Sequence, residues 1–194
     1  ELQKDPWVAS ATYERQFPNT LRITIVERKV TAIVALSSGP VAWYLGENNV
    51  WLEADQLNVP EGKTTATVAL EKATSEGELL ITDVPATVSP VAGTTATDAE
   101  IQAVMQYQST FSSELTSQIV SYSASSVDAI SVTLTNGVQV ALGSPTQIAD
   151  KEKVILAMLK QFPGELTYLN VRTPASPTYR RVSTGNVQSG SGVS

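Results

Sequence analysis

The sequence predicts an α+β fold: a mainly antiparallel β domain with two helices packed on one face, preceded by a β-hairpin. Three observations carry this. Short runs of Val, Ile, Thr, Trp and Tyr recur between Gly, Pro and Asn clusters, the pattern of consecutive strands. Only two longer stretches space their apolar residues at helical intervals. The chain has 194 residues of which 42% are apolar, enough to bury a sizeable core.

The first segment, "ELQKDPWVASATYERQFPNTLRITIVERKV", opens on residues 1–4, which read as a helix end stopped at Asp5-Pro6, because the residue before proline avoids the helical region. Residues 8–15 then form a strand. The turn "FPNT" comes next, and residues 21–27 return as the second strand. Leu21, Ile23 and Ile25 fall on one face and Arg22 and Thr24 on the other, a half-buried alternation. A two-stranded hairpin is marginal alone, so it needs a further layer.

From Val30 to Glu71, "VTAIVAL", "VAWYL", "VWLEA" and "TTATVAL" read as strands of a meander, separated by "SSGP", "GENN" and "VPEGK". The first helix opens at Thr97, where Thr97 and Glu100 have capping-box spacing. Ile101, Val104, Met105, Phe111 and Leu115 come after it. The second helix lies between Ser144 and Gln161, with Ser144 as cap, Pro145 in the first turn and Gln147 completing the box. Its apolar stripe is Ile155, Met158, Leu159 and Phe162, while Lys151, Lys153 and Lys160 are expected in water.

Between the helices lies "DAISVTLTNGVQVALG". A two-residue Asn136-Gly137 turn would set Leu134 against Gln139 and Thr133 against Val140, apolar against polar. A three-residue loop, Thr135-Asn136-Gly137, pairs Leu134 with Val138, Val132 with Val140 and Ile130 with Leu142, so one face is wholly apolar. A one-residue slip would undo this, so the pattern selects the second register. Gly137 then takes the left-handed position of a bulge. After the second helix, "ELTYLNVRTPASPTYRRV" reads as a strand through Val171, a proline-punctuated bend and a short last strand over residues 178–182. Residues 183–194 read as a flexible Gly/Ser-rich tail.

Composition narrows function. The formal charge of -6 opposes nucleic-acid binding and docking on anionic lipid. The chain has no Cys and no His, so thiol chemistry, the Ser-His-Asp triad and the commonest metal ligands are excluded. No phosphate-binding or zinc-protease motif is present. The carboxylates Glu47, Glu53, Asp55, Glu61, Asp83 and Asp128 show no spacing that singles out a catalytic pair and read as solvated surface acids. "ENNVWLEAD" lacks the Gly and terminal Glu of a calcium loop. Trp7, Trp43 and Trp51 read as core anchors. No enzyme, cofactor or metal site is expected. A β-rich domain without such motifs offers its strand edges as a binding surface.

"PWVASATYERQFPNTLRITIVERKVTAIVAL" resembles the place in the bacterial FtsQ/DivIB cell-division proteins where the POTRA domain passes into the β domain. Pro6, Val8, Phe17-Pro18, the strand over residues 21–25, Glu27-Arg28 and Ala32 occupy the pattern. "LTNGVQVALG", the Lys-bearing helix at Lys151 and "LTYLNVRTP" resemble the later landmarks, in order. The resemblance spans roughly residues 6–181. It implies that residues 1–29 are the C-terminal part of a POTRA domain and residues 30–182 the β domain. It also implies a non-enzymatic divisome scaffold, held by one N-terminal membrane span absent from this fragment, with the β domain outside the cell membrane at the septum. The implied partners are the small coiled-coil division proteins FtsB/DivIC and FtsL, and through them the septal peptidoglycan synthase. A POTRA-bearing module of a polypeptide-transport assembly and a carboxylate-dependent cell-wall hydrolase are the alternatives.

In this family the partner adds a strand near the end of the β domain. The matching residues are Arg172, Ser176, Thr178, Tyr179, Arg180 and Arg181, with Tyr179 as an aromatic anchor and the arginines meeting partner acids. Pro174 and Pro177 raise the rival expectation that this edge is blocked against pairing.

Overall fold

The structure, a computed structural model, describes residues 4–182. The helix end expected at the start and the Gly/Ser-rich tail at residues 183–194 lie in whole or in part outside the described residues. β1 (Val8–Gln16) and β2 (Thr20–Glu27) form the first hairpin, with Tyr13 opposite Ile23 and Arg15 opposite Leu21. The two strands form their own sheet, apart from the main one. The expected half-burial is not met: Leu21, Ile23 and Ile25 are 57%, 51% and 46% exposed. No second layer covers them among the described residues, and a two-stranded ribbon cannot bury a face by itself. Arg28 ties the base of the hairpin to the main domain. Its N–H donates to the Trp7 carbonyl at 2.7 Å, and its guanidinium donates to the carbonyls of Pro6 and Glu47, each at 3.1 Å.

Nine strands then build one sheet. They are β3 (Val30–Leu36), β4 (Val41–Gly46), β5 (Val50–Gln56), β6 (Leu79–Val84), β7 (Ile119–Ala124), β8 (Ile130–Leu134), β9 (Gln139–Ala141), β10 (Leu166–Asn170) and β11 (Thr178–Arg181). Their order is β11-β10-β9-β8-β7-β6-β3-β4-β5. Neighbours are antiparallel except at β3–β6, β6–β7 and β9–β10, which are parallel. Parallel neighbours need a crossover long enough to return the chain. The connections that supply these crossovers carry α1 (Thr65–Glu76), α2 (Ala99–Thr110) and α4 (Ile148–Gln161); a single-turn α3 (Ser113–Thr116) comes after α2.

α1 replaces the strand expected at "TTATVAL". The Thr64 hydroxyl accepts from the Thr67 N–H at 3.2 Å, which caps the helix start, and Gly77 at φ 75° ends it. Ala69 and Ala73, four residues apart, bury against Ile33, Ala35 and Leu80. That packing outweighs the strand preference of Thr and Val. α2 and α4 lie on the opposite face, over the larger core of Val34, Leu45, Trp51, Ile81, Tyr122, Val132, Val140 and Leu169. The sheet is therefore covered on both sides around β3 and β6 and on one side from β8 to β11.

The helix starts differ from the expected caps. α2 begins after Asp98 with no side-chain cap, so the Thr97–Glu100 box does not form. α4 begins after Gln147, which is left-handed at φ 51°; Ser144, Pro145 and Thr146 belong to the preceding loop. The β8–β9 register is the expected one: Val132 faces Val140, and the Leu134 N–H donates to Val138 O at 2.9 Å. Gly137 sits at φ 82° and the Asn136 side chain accepts the Val138 N–H at 3.1 Å. Among the described residues no helix is long and apolar enough to cross a membrane.

Candidate functional site

The main sheet has two outer strands, β5 and β11, and they differ. β5 is partly covered by residues 93–96. Trp51 N–H donates to Thr94 O at 2.9 Å, Gly93 N–H to Trp51 O at 2.7 Å and Ala96 N–H to Asn49 O at 2.7 Å. Its remaining half carries Glu53 and Asp55, charges that discourage pairing. β11 ends the sheet on the other side, and all of its residues are exposed.

β11 pairs with β10 so that Thr178 faces Asn170, Tyr179 faces Leu169 and Arg180 faces Tyr168, with a bulge before Leu166 meets Arg181. The Val182 N–H donates to Glu165 O at 2.7 Å. Main-chain polar groups alternate sides along a strand. Arg180 and Thr178 therefore also turn theirs to β10, and Tyr179 and Arg181 turn theirs to the other side, which no strand of the described residues occupies. An incoming strand would find two N–H and two C=O groups there, in hydrogen-bonding register.

Side chains alternate across the sheet faces. Tyr179, 43% exposed, lies on the helix side and stacks on Phe162, just past the end of α4, with centroids 5.1 Å apart and planes 28° apart. Arg181 shares that side: its guanidinium lies 5.0 Å from the Phe162 ring centre, and one nitrogen is 3.4 Å from a Glu165 carboxylate oxygen. Arg180 lies on the other face, 5.3 Å over the Tyr168 ring. The arginines thus do not form one basic patch. Arg172 and Ser176 lie outside the strand, in the bend that leads to it: Ser176 N–H donates to Thr173 O at 3.0 Å and Arg172 N–H to the Asn170 side chain at 3.1 Å. Pro174 is buried and Pro177 half-buried, and both precede β11, so neither removes a donor from the strand itself. Phe162, Glu165 and Tyr168 belong to this surface although the sequence did not single them out as site residues. Phe162 was legible only as the end of a helical stripe.

A buried polar cluster holds the loop between β9 and α4. Lys151, expected in water, is fully buried. Its Nζ donates to the Ser144 carbonyl at 2.6 Å and to the Tyr107 hydroxyl at 2.9 Å. The Tyr107 hydroxyl in turn donates to Ser144 O at 2.6 Å. Burial lowers the Lys151 pKa and raises that of Tyr107, since each charged form loses water. Sequence spacing held the signal: Ile148, Lys151, Ile155 and Met158 are the buried residues of α4 and lie three, four and three apart on one face. Among the described residues no group of three acidic side chains is placed to hold a metal ion.

Known proteins give this surface a context. The family model of the FtsQ/DivIB cell-division protein C-terminal region matches residues 66–172, and that of the FtsQ-type POTRA domain matches residues 1–28. The cell division protein FtsQ of Mycobacterium tuberculosis is 30% identical over 176 residues, covering 89% of this chain and 46% of that protein. FtsQ of Mycobacterium leprae is 31% identical over 175 residues, covering 89% of this chain and 42% of that protein. The chain spans about half the length of these curated relatives. The C-terminal match ends at Arg172, so β11 lies just past it.

Proposed function

Because the chain belongs to the FtsQ/DivIB family of cell-division proteins, we propose that it is the extracytoplasmic part of a single-pass septal scaffold whose β11 edge receives a strand from an FtsB/DivIC-type partner. It also binds an FtsL-type partner, and through these partners it bears on the septal peptidoglycan synthase. The chain acts by binding and carries out no catalysis. Residues 1–29 are the end of the POTRA domain and residues 30–182 the β domain.

The open side of β11 supports this reading. Among the described residues, Tyr179 and Arg181 present main-chain groups with no strand beside them at the sheet's end, while part of the opposite edge is covered by residues 93–96. Tyr179 with Phe162 forms an aromatic anchor of the kind that dominates interfaces, and Arg180 and Arg181 suit acidic side chains on both faces of the added strand. Pairing with a strand that satisfies these groups gives affinity from the main chain and specificity from the side chains.

The test is titration of the extracytoplasmic segment of the FtsB/DivIC-type protein from the same organism against this chain. Tyr179→Pro removes an outward donor and is expected to abolish binding, whereas Ser75→Ala, on α1 against β3 and β6, leaves it within about twofold. Unchanged affinity in Tyr179→Pro and Tyr179→Ala would move the interface elsewhere.

A further inference from the structure

A fully buried lysine with no carboxylate beside it is uncommon, because its charge loses water without gaining an opposite charge. Lys151 directs its ammonium at one backbone carbonyl, Ser144 O. Tyr107 Oη and the Thr146 N–H donate to the same oxygen, the latter at 2.8 Å. Three donors on one carbonyl fix the loop between β9 and α4. That loop has no regular structure of its own and contains two left-handed residues, Gly143 at φ 70° and Gln147 at φ 51°.

The loop is the floor under the start of the binding segment. A Cβ on Gly143 would lie 2.9 Å from Arg172 Cγ, so the Arg172 stem already rests on the glycine. Val171 N–H donates to Ala141 O at 2.9 Å, one residue before the loop. On its far side Gln147, Asp150, Lys153 and Val154 face Pro174 and Ala175 across a cleft of about 290 Å³. The bend from Arg172 to Ser176 thus starts against the loop, at Arg172 on Gly143, and runs beside the first turns of α4, and β11 begins where the bend ends.

We propose that Lys151, with Tyr107, is a positioning residue for the open edge: by fixing the Ser144 carbonyl from inside the core, it sets the seat of the 172–176 bend and thereby holds β11 in place to receive a partner. The inference rests on the partner-edge reading above for its functional meaning, but its structural half stands without it. Neither side chain touches β11, so the effect passes through the loop and the bend.

The test compares Lys151→Met, which keeps the stem and removes the ammonium, and Tyr107→Phe, which removes only the hydroxyl, with Leu80→Ala. Leu80 is buried under α1 on the other face of the sheet and supplies a control of reduced stability far from the loop. Amide hydrogen exchange is read by residue at Val171, Thr178 and Arg180, and at β3 and β6. Lys151→Met and Tyr107→Phe are expected to speed exchange at the first set about tenfold more than at the second, as local opening does when one buried hydrogen bond is lost. Because both variants release the same carbonyl, the double variant should add little. Leu80→Ala should speed exchange without favouring residues 171–182. Equal changes across the sheet in all three variants, or full additivity in the double variant, would overturn the proposal. Affinity for the FtsB/DivIC-type segment is measured on the same variants. If exchange changes as expected and affinity does not, positioning stands and the partner-edge reading fails.

Discussion

Tyr179 lies stacked on Phe162, the ring centres 5.1 Å apart, so the last strand of the sheet is fastened to the end of α4 as well as to β10. If β11 receives a partner strand as proposed, the aromatic residue it offers is thus already held in one orientation. An aromatic side chain that needs no ordering on binding loses less entropy when it is engaged.

Tyr179→Ala should therefore act twice. Loss of the ring pair should lower unfolding free energy by about 0.5–1.5 kcal/mol. Binding of the partner segment should weaken by at least tenfold, the loss expected of an interface anchor. Phe162→Leu should reproduce part of both effects without touching the open edge. Denaturant unfolding and a binding titration on the same samples check this. Phe162→Leu that leaves affinity untouched would mean the stack does not preset Tyr179.

Lys151 makes stability depend on pH in a direction that can be worked out. Its folded pKa lies below the ordinary value of 10.5, so between the two the unfolded chain binds more protons. Wild-type stability, relative to Lys151→Met, should rise as pH climbs through that window. Tyr107 works the opposite way from about pH 10, because its folded pKa is raised above the ordinary 10.0. The difference is thus read in urea melts from near neutrality to just under the ordinary tyrosine pKa. A flat difference over that range would show that the amine keeps its ordinary pKa, and a falling one that its pKa is raised; either would overturn the expectation.

Gly137 and Gly143 separate strain from crowding. Both have positive φ, at 82° and 70°. A Cβ on Gly137 meets nothing within 4 Å, so Gly137→Ala should cost only the left-handed penalty, about 1–2 kcal/mol. Gly143→Ala carries the same penalty and also presses on Arg172 Cγ at 2.9 Å. It should lose more stability than Gly137→Ala, and it alone should weaken partner binding. Equal losses in the two variants, by thermal unfolding, would remove the Arg172 contact from consideration.

Gly137→Val tests the bulge itself. A β-branched residue in the left-handed region is an outlier, so the unfolding midpoint should fall further than for Gly137→Ala. Gly137→Asn, which tolerates that region, should fall least. An order other than Asn, Ala, Val would contradict the loop geometry.

The legible parts of the fold were those where one pattern admitted a single solution. The β8–β9 register was readable because only one pairing keeps Leu134, Val132 and Ile130 against Val138, Val140 and Leu142. α1 was not legible. "TTATVAL" carries strand-favouring residues, and its helical state depends on Ala69 and Ala73 meeting Ile33 and Leu80, contacts distant in sequence. The burial of Lys151 runs against the general preference of a lysine charge for water, but its position carries the signal, since it falls on the same α4 face as Ile148 and Ile155. At the candidate edge, Tyr179 and the two arginines of β11 were visible as residue types. That Arg180 and Arg181 point to opposite faces, and that Phe162 supports Tyr179, emerges only from the pairing of β10 with β11.

The sheet is thick at one end and thin at the other. α1 backs β3 and β6, but from β8 to β11 no helix of the described residues covers the rear face, which carries Ser131, Thr133, Gln139, Tyr168, Asn170 and Arg180, mostly polar. A strand joining at β11 thus joins where only one side of the sheet has a roof. Its front residues meet Tyr179 and the flank of α4, while those behind stay in water. A guest of this kind would betray itself in its own sequence: apolar or aromatic at every second position, hydrophilic between, with acids near one end. Such a dyad rhythm is a search criterion for the ligand that needs no coordinates of the complex.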